Sequence, residues 1–72
     1  MFENGTKLRV TDNTGKPFGN IIEIEIIGYD EFGYRCILLK TNDTTGEDEV
    51  GETCDWDLER AIEENRIFVE VL

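Results

Sequence analysis

The reactive groups of this chain are two thiols, Cys36 and Cys54, and seventeen carboxylates, with no histidine among them. Without imidazole the chain loses the commonest general base and the commonest zinc ligand together. Cys54 stands just before a segment with helical spacing, and a helix N-terminus stabilises a thiolate. It has no base to activate it, however, and its neighbours Glu52, Asp55 and Asp57 raise a thiol's pKa. Cys36 lies in the apolar run Cys36-Ile37-Leu38-Leu39, which marks it as a core thiol. Carboxylate pairs abound, but 72 residues leave little room for a pocket of the usual size around them. There is no Gly-rich phosphate loop and no HExxH-like run. The run Asp43-Thr44-Thr45-Gly46-Glu47-Asp48-Glu49 has the oxygen-rich composition of a calcium loop but not its alternate spacing. These residues predict no catalytic, cofactor or metal site, and so no enzyme.

What the carboxylates do carry is a field. Ten of them, Asp43, Glu47, Asp48, Glu49, Glu52, Asp55, Asp57, Glu59, Glu63 and Glu64, face a single base, Arg60, so this stretch holds nine of the chain's ten net negative charges. Such a field selects cations, basic protein surfaces, or proteins that ordinarily bind nucleic acid. Nucleic acid itself and anionic membranes are repelled, so neither is an expected direct partner. Within the stretch, Asp55, Asp57 and Glu59 suit the positive end of a helix. Glu63 and Glu64 lie near its negative end, and Glu59 and Glu63, four residues apart, repel one another. Small penalties of one sign at Glu59, Glu63 and Glu64 point to selection for the field, and Asp55, Trp56, Asp57, Glu59, Glu63 and Glu64 are the expected partner-binding face. Trp56 is either a core staple or an anchor inside an acidic ring. The sharpest form of this reading is nucleic-acid mimicry, with carboxylates arrayed as phosphates are.

The elements that hold these groups are mainly strands. Lys7–Thr11 alternates, with Leu8 and Val10 on one side, and Asp12–Pro17 is dense in turn formers. Asn20–Tyr29 is the clearest strand: Ile22, Ile24 and Ile26 alternate with Glu23 and Glu25. Ile21 and Ile27 break the alternation at its ends, and Gly28 marks a bulge or bend. Asp30–Gly33 reads as a hairpin turn and Tyr34–Thr41 as the return strand. Its centre is apolar on both faces, which predicts an interior strand with its second side covered. Asn42–Asp48 reads as a loop and Glu49–Glu52 as a short strand. From Asp55 to Asn65 the period becomes helical through Leu58, Ala61 and Ile62, with Thr53 or Asp55 as N-cap and Asn65 as the left-handed stop. Ile67–Leu72 is a last strand with Phe68 and Leu72 on one face and Ile67, Val69 and Val71 on the other. Both sides cannot hide in so small a core, so Phe68 and Leu72 mark a candidate oligomer edge and a homodimer.

The expected fold is one domain over residues 1–72, mainly β with one short helix before the last strand: four to five antiparallel strands in an open barrel or a strongly bent sheet. The long hairpin Asn20–Thr41 and the helix feeding Ile67–Leu72 resemble an SH3-like small barrel, and are similar in this to small accessory proteins of bacteria and their phages. That resemblance is architectural and carries no family motif. The N-terminus has no signal-peptide character and no apolar run approaches a membrane span, which predicts a cytoplasmic setting with reduced thiols. The leading functional expectation is a small acidic protein that binds and modulates or inhibits a basic protein, as small acidic phage inhibitors do. The alternatives are an assembly module acting through Phe68 and Leu72, and a ligand pocket lined by Tyr29, Phe32, Tyr34 and Trp56.

Overall fold

The structure, a computed structural model, describes residues 2–13, 21–42 and 49–72. Most of the expected turn at Asp12–Pro17 and of the loop at Asn42–Asp48, with the calcium-like run, lies outside the described residues. Among the described residues, five strands and one helix follow in the order β1 (Lys7–Asp12), β2 (Ile21–Asp30), β3 (Gly33–Thr41), β4 (Thr53–Trp56), α1 (Leu58–Glu63) and β5 (Ile67–Val71). All pairings are antiparallel, in one open sheet of order β4-β3-β2-β1-β5. The mainly β expectation therefore holds, with β4 and β5 as the two edges.

The β2–β3 hairpin is the spine. Two of its apolar doublets, Ile26-Ile27 and Leu38-Leu39, lie where a strict two-residue period cannot bury both members. The sheet resolves each with a register shift. Between Ile26 and Gly28 the partner advances by one residue only, so Ile27 is the extra residue on β2; between Glu23 and Ile24 the extra residue is Leu39 on β3. Ile27 and Leu39 turn outward, while Ile24, Ile26 and Cys36 stay in the core. This corrects one expectation. β3 is interior, but among the described residues no element covers its second face, and the bulge at Leu39 accounts for part of its two-sided apolar pattern.

Inner-facing Leu8, Val10, Ile24, Ile26, Tyr34 and Cys36 form the core with Leu58 of the helix, and Phe2, Ile22, Leu38, Trp56, Ile67 and Val69 pack around them. The helix must lie over this core because β4 and β5 are opposite edges, four inter-strand steps or about 19 Å apart. Ten residues, 57–66, make that crossing and bury Leu58 and Ala61 on the way. The outer face of the sheet is laced with opposite charges instead. Arg9 sits between Glu23 and Glu70, at 3.9 and 2.7 Å, and Arg35 faces Asp55 at 3.5 Å.

Two boundaries differ from the sequence-based reading. Residues 49–52 form a turn, closed by the Glu52 N–H donating to the Glu49 carbonyl, and the strand is Thr53–Trp56 instead. Gly51 takes φ +93° at the third turn position, where side-chain-bearing residues are strained, and the apolar Val50 is left exposed. The helix is correspondingly shorter than Asp55–Asn65. Pairing of Tyr34 with Trp56 holds the chain extended through Trp56, so Asp57 is the first residue able to cap. Its Oδ1 accepts the Arg60 N–H at 3.3 Å, replacing Thr53 and Asp55 as the expected caps. The stop is as expected: Asn65 has φ +58°, the Arg66 N–H reaches the Ala61 carbonyl and the Asn65 N–H the Ile62 carbonyl.

Candidate functional site

The acidic stretch is not one surface but two with different chemistry. At the helix, two of the three acids that stood out in the sequence are occupied. Glu59 accepts a hydrogen bond from the Tyr34 hydroxyl, whose oxygen in turn accepts the Phe2 N–H at 3.1 Å. Burial, with the bond to Glu59, raises the Tyr34 phenol above its ordinary pKa. Glu64 lies between Arg60 at 3.6 Å and Arg66 at 3.1 Å. Arg66 is thus the partner that lets a carboxylate sit near the negative helix end. Of the three, Glu63 alone has neither an ion pair nor a side-chain hydrogen bond among the described residues.

The β4 edge is the more open half. Asp55 faces Arg35 from the outer side of the sheet, and Asp57 is spent on the helix cap. Glu49 and Glu52 flank the turn before β4, exposed and without an ion pair among the described residues. Trp56 is not at a helix start; it ends β4, partly buried against the core. On the inner side Trp56, Cys54, Thr53 and Glu52 join Ile22, Ile24 and Leu38 around a groove of about 290 Å³. The sequence reading missed this groove. Its signal was the alternation Thr53-Cys54-Asp55-Trp56, which sets Cys54 and Trp56 on one face once the segment is read as a strand.

The thiols separate clearly. Cys36 and Cys54 are cross-strand partners and neither is in a disulfide. Cys36 is fully buried, and burial pushes its thiol up to about 12. Cys54 is exposed on the edge strand, not poised at a helix N-terminus as the sequence suggested. The four aromatics of the pocket alternative do not converge. Tyr34 is buried between Phe2 and Tyr29, with ring centroids at 5.6 and 5.0 Å, and the Tyr29 and Phe32 side chains are largely exposed. Only Trp56 of the four lines the groove. Among the described residues no three Asp, Glu or Cys side chains gather as a metal site requires, and no helix is long and apolar enough to cross a membrane.

Position of this edge depends on one glycine. Gly33, at φ +118°, packs so tightly on the β4–α1 junction that a Cβ there would lie 2.6 Å from the Trp56 carbonyl oxygen and 2.9 Å from the Asp57 Cα. The tip of the hairpin thereby fixes where β4 ends and the helix cap begins. At the opposite edge, Phe68 and Leu72 lie on the outer face of β5 or just beyond its end, both well exposed. Val71, on the inner face opposite Leu8, is exposed as well. No protein family, no curated protein and no solved structure matches this chain.

Proposed function

We propose that this chain is a non-enzymatic binding protein that engages a basic protein through its acidic surface and modulates or blocks it. The observation that carries the reading is the separation of charge. Residues 49–64 expose seven acids; Asp55 faces Arg35 and Glu64 lies between Arg60 and Arg66, and the other five make no ion pair among the described residues, whereas Arg9 is paired across the sheet's outer face. A field of one sign at one edge and along the crossing helix repels nucleic acid and anionic membranes, and attracts the surfaces that bind them. The non-enzymatic reading is supported by the chemistry of the thiols: Cys36 is buried in its protonated form, and acids surround Cys54 in sequence. Two thiols outside any disulfide suit the cytoplasmic setting.

The test is capture of partners at low salt and at about 1 M, where the screening length is roughly 3 Å. Glu49→Lys, Glu52→Lys and Glu63→Lys are the informative reversals, since these carboxylates neither cap the helix nor hold Tyr34. Capture should vanish with salt and with the triple reversal. A partner retained through both changes overturns the reading. The exposed Phe68, Val71 and Leu72 favour a second reading, assembly of copies through the β5 edge.

A further inference from the structure

We propose that the β4 edge and the groove beneath it take an extended segment of the basic partner as a sixth strand of the sheet. This rests on the basic-partner reading and adds how the partner is held.

The backbone phase of β4 comes first. The Leu38 N–H donates to the Glu52 carbonyl at 2.9 Å and the Leu38 carbonyl accepts the Gly51 N–H at 2.8 Å, so Leu38 turns its backbone groups toward β4. Alternation along the ladder then directs the backbone groups of Cys54 and Trp56 toward β3, and turns those of Thr53 and Asp55 outward. Among the described residues no strand pairs with β4 on that side. Two residues therefore present donor and acceptor pairs along an open edge, the template on which strand addition works.

The side chains decide what can be added. A strand laid beside β4 sets every second side chain on the inner side of the sheet, beside the groove of Ile22, Ile24, Leu38, Cys54 and Trp56. That wall is mainly apolar, with Thr53 and Glu52 at one end, so those side chains are mostly aliphatic or aromatic. The intervening positions meet Asp55, and the segment's ends meet Glu49, Glu52 and Asp57. From residue 41 to residue 59 the chain contains no Lys or Arg at all. Natural edges are commonly blunted with Lys or Pro, and β4 has neither. Its acids disfavour a second copy of this chain and favour a segment in which apolar residues alternate with Lys or Arg.

The experiment uses the full chain and an eight-residue peptide of alternating Val and Lys. Two controls accompany it, one with the central Val residues replaced by Pro and one with Glu in place of Lys. Cys54, exposed in the groove wall, is the reporter, because Cys36 is buried. The Val–Lys peptide should slow alkylation of Cys54 by about fivefold or more and protect the Thr53 and Asp55 amides from exchange, as strand addition requires. Equal protection by the Pro peptide overturns strand addition and leaves the basic-partner reading standing, since charge alone then holds the peptide. Equal protection by the Glu peptide overturns both. Absence of any protection at millimolar peptide, with salt-labile capture of a basic protein retained, overturns strand addition alone.

Discussion

The two edges of this sheet have opposite characters. At β4 the strand is only four residues long, its flanks are acidic, and a groove lies beneath it. At β5 the flanking charges nearly cancel, and the exposed side chains Phe68, Val71 and Leu72 are apolar. The first edge is suited to an unlike partner that brings positive charge. The second exposes apolar side chains suited to a like one, although the acidic helix packs against it. The net charge of −10 is therefore a poor description of this molecule. What matters is where the acids stand relative to the two edges: flanking the strand at β4, and on the helix beside β5.

The largest effect is expected from Gly33→Ala. The added Cβ collides with backbone at the Trp56–Asp57 junction, and the residue must also hold a positive φ. A loss of about 3 kcal/mol is expected in denaturant unfolding, at the upper end for backbone strain. Hydrogen exchange should show β4 and the helix start loosening before β5. Equal loosening at both edges would mean that the junction does not belong to the β4 side alone.

Next in size is Tyr34→Phe, which removes the bond to Glu59 and the acceptor for the Phe2 N–H. About 1–2 kcal/mol should be lost, and Glu59 should join the unpaired acids. A pH profile sharpens this. The folded chain holds the Tyr34 proton above the ordinary 10.0 and the Cys36 proton from 9.0 up to about 12. Folding then binds these protons more tightly than the unfolded chain does. Their contribution is complete below about pH 9 and declines as the pH rises past the unfolded values. The thermal midpoint should fall from about pH 9 upward, less steeply in Tyr34→Phe and in Cys36→Ala. An identical slope in both variants would remove these groups as its cause.

The smallest effect on stability is expected from Phe68→Asp. The side chain is 67% exposed, so the change should stay within about 0.5 kcal/mol. Sedimentation supplies the sharper reading: any self-association of the parent should disappear in the variant. A parent that is already monomeric at high concentration would strip the β5 edge of its role in assembly.

How much of this was legible beforehand depended on range. The β2–β3 hairpin could be read because Ile22, Ile24 and Ile26 alternate over a long window and Gly33 closes the turn. Strand β4 could not, because its four residues run straight into a helical pattern and the apolar Val50 draws the eye to what is a turn. The helix stop at Asn65 was local and so visible. The candidate site divides in the same way. Acid positions are visible in one dimension. Which acids are spoken for depends on Tyr34 and Arg35 arriving from elsewhere, and Tyr34 lies 25 residues from Glu59, whereas Arg66 stands beside Glu64 in the sequence. Cys54 and Trp56 share a groove wall only once β4 is known to pair with β3.

The placement of β1 between β2 and β5 has a kinetic side. Leu8 pairs with Ile24 in one direction and with Val71 in the other, so one flank of β1 closes a short loop and the other closes nearly the whole chain. The hairpin can form while the rest is still unstructured, but the β1–β5 ladder must bring distant ends together before any of its contacts repay the lost freedom. That ladder is therefore expected to close late in folding. Until it closes, the apolar faces of β1 and β5 stand open, and it is then that the repulsion between acidic chains keeps them apart.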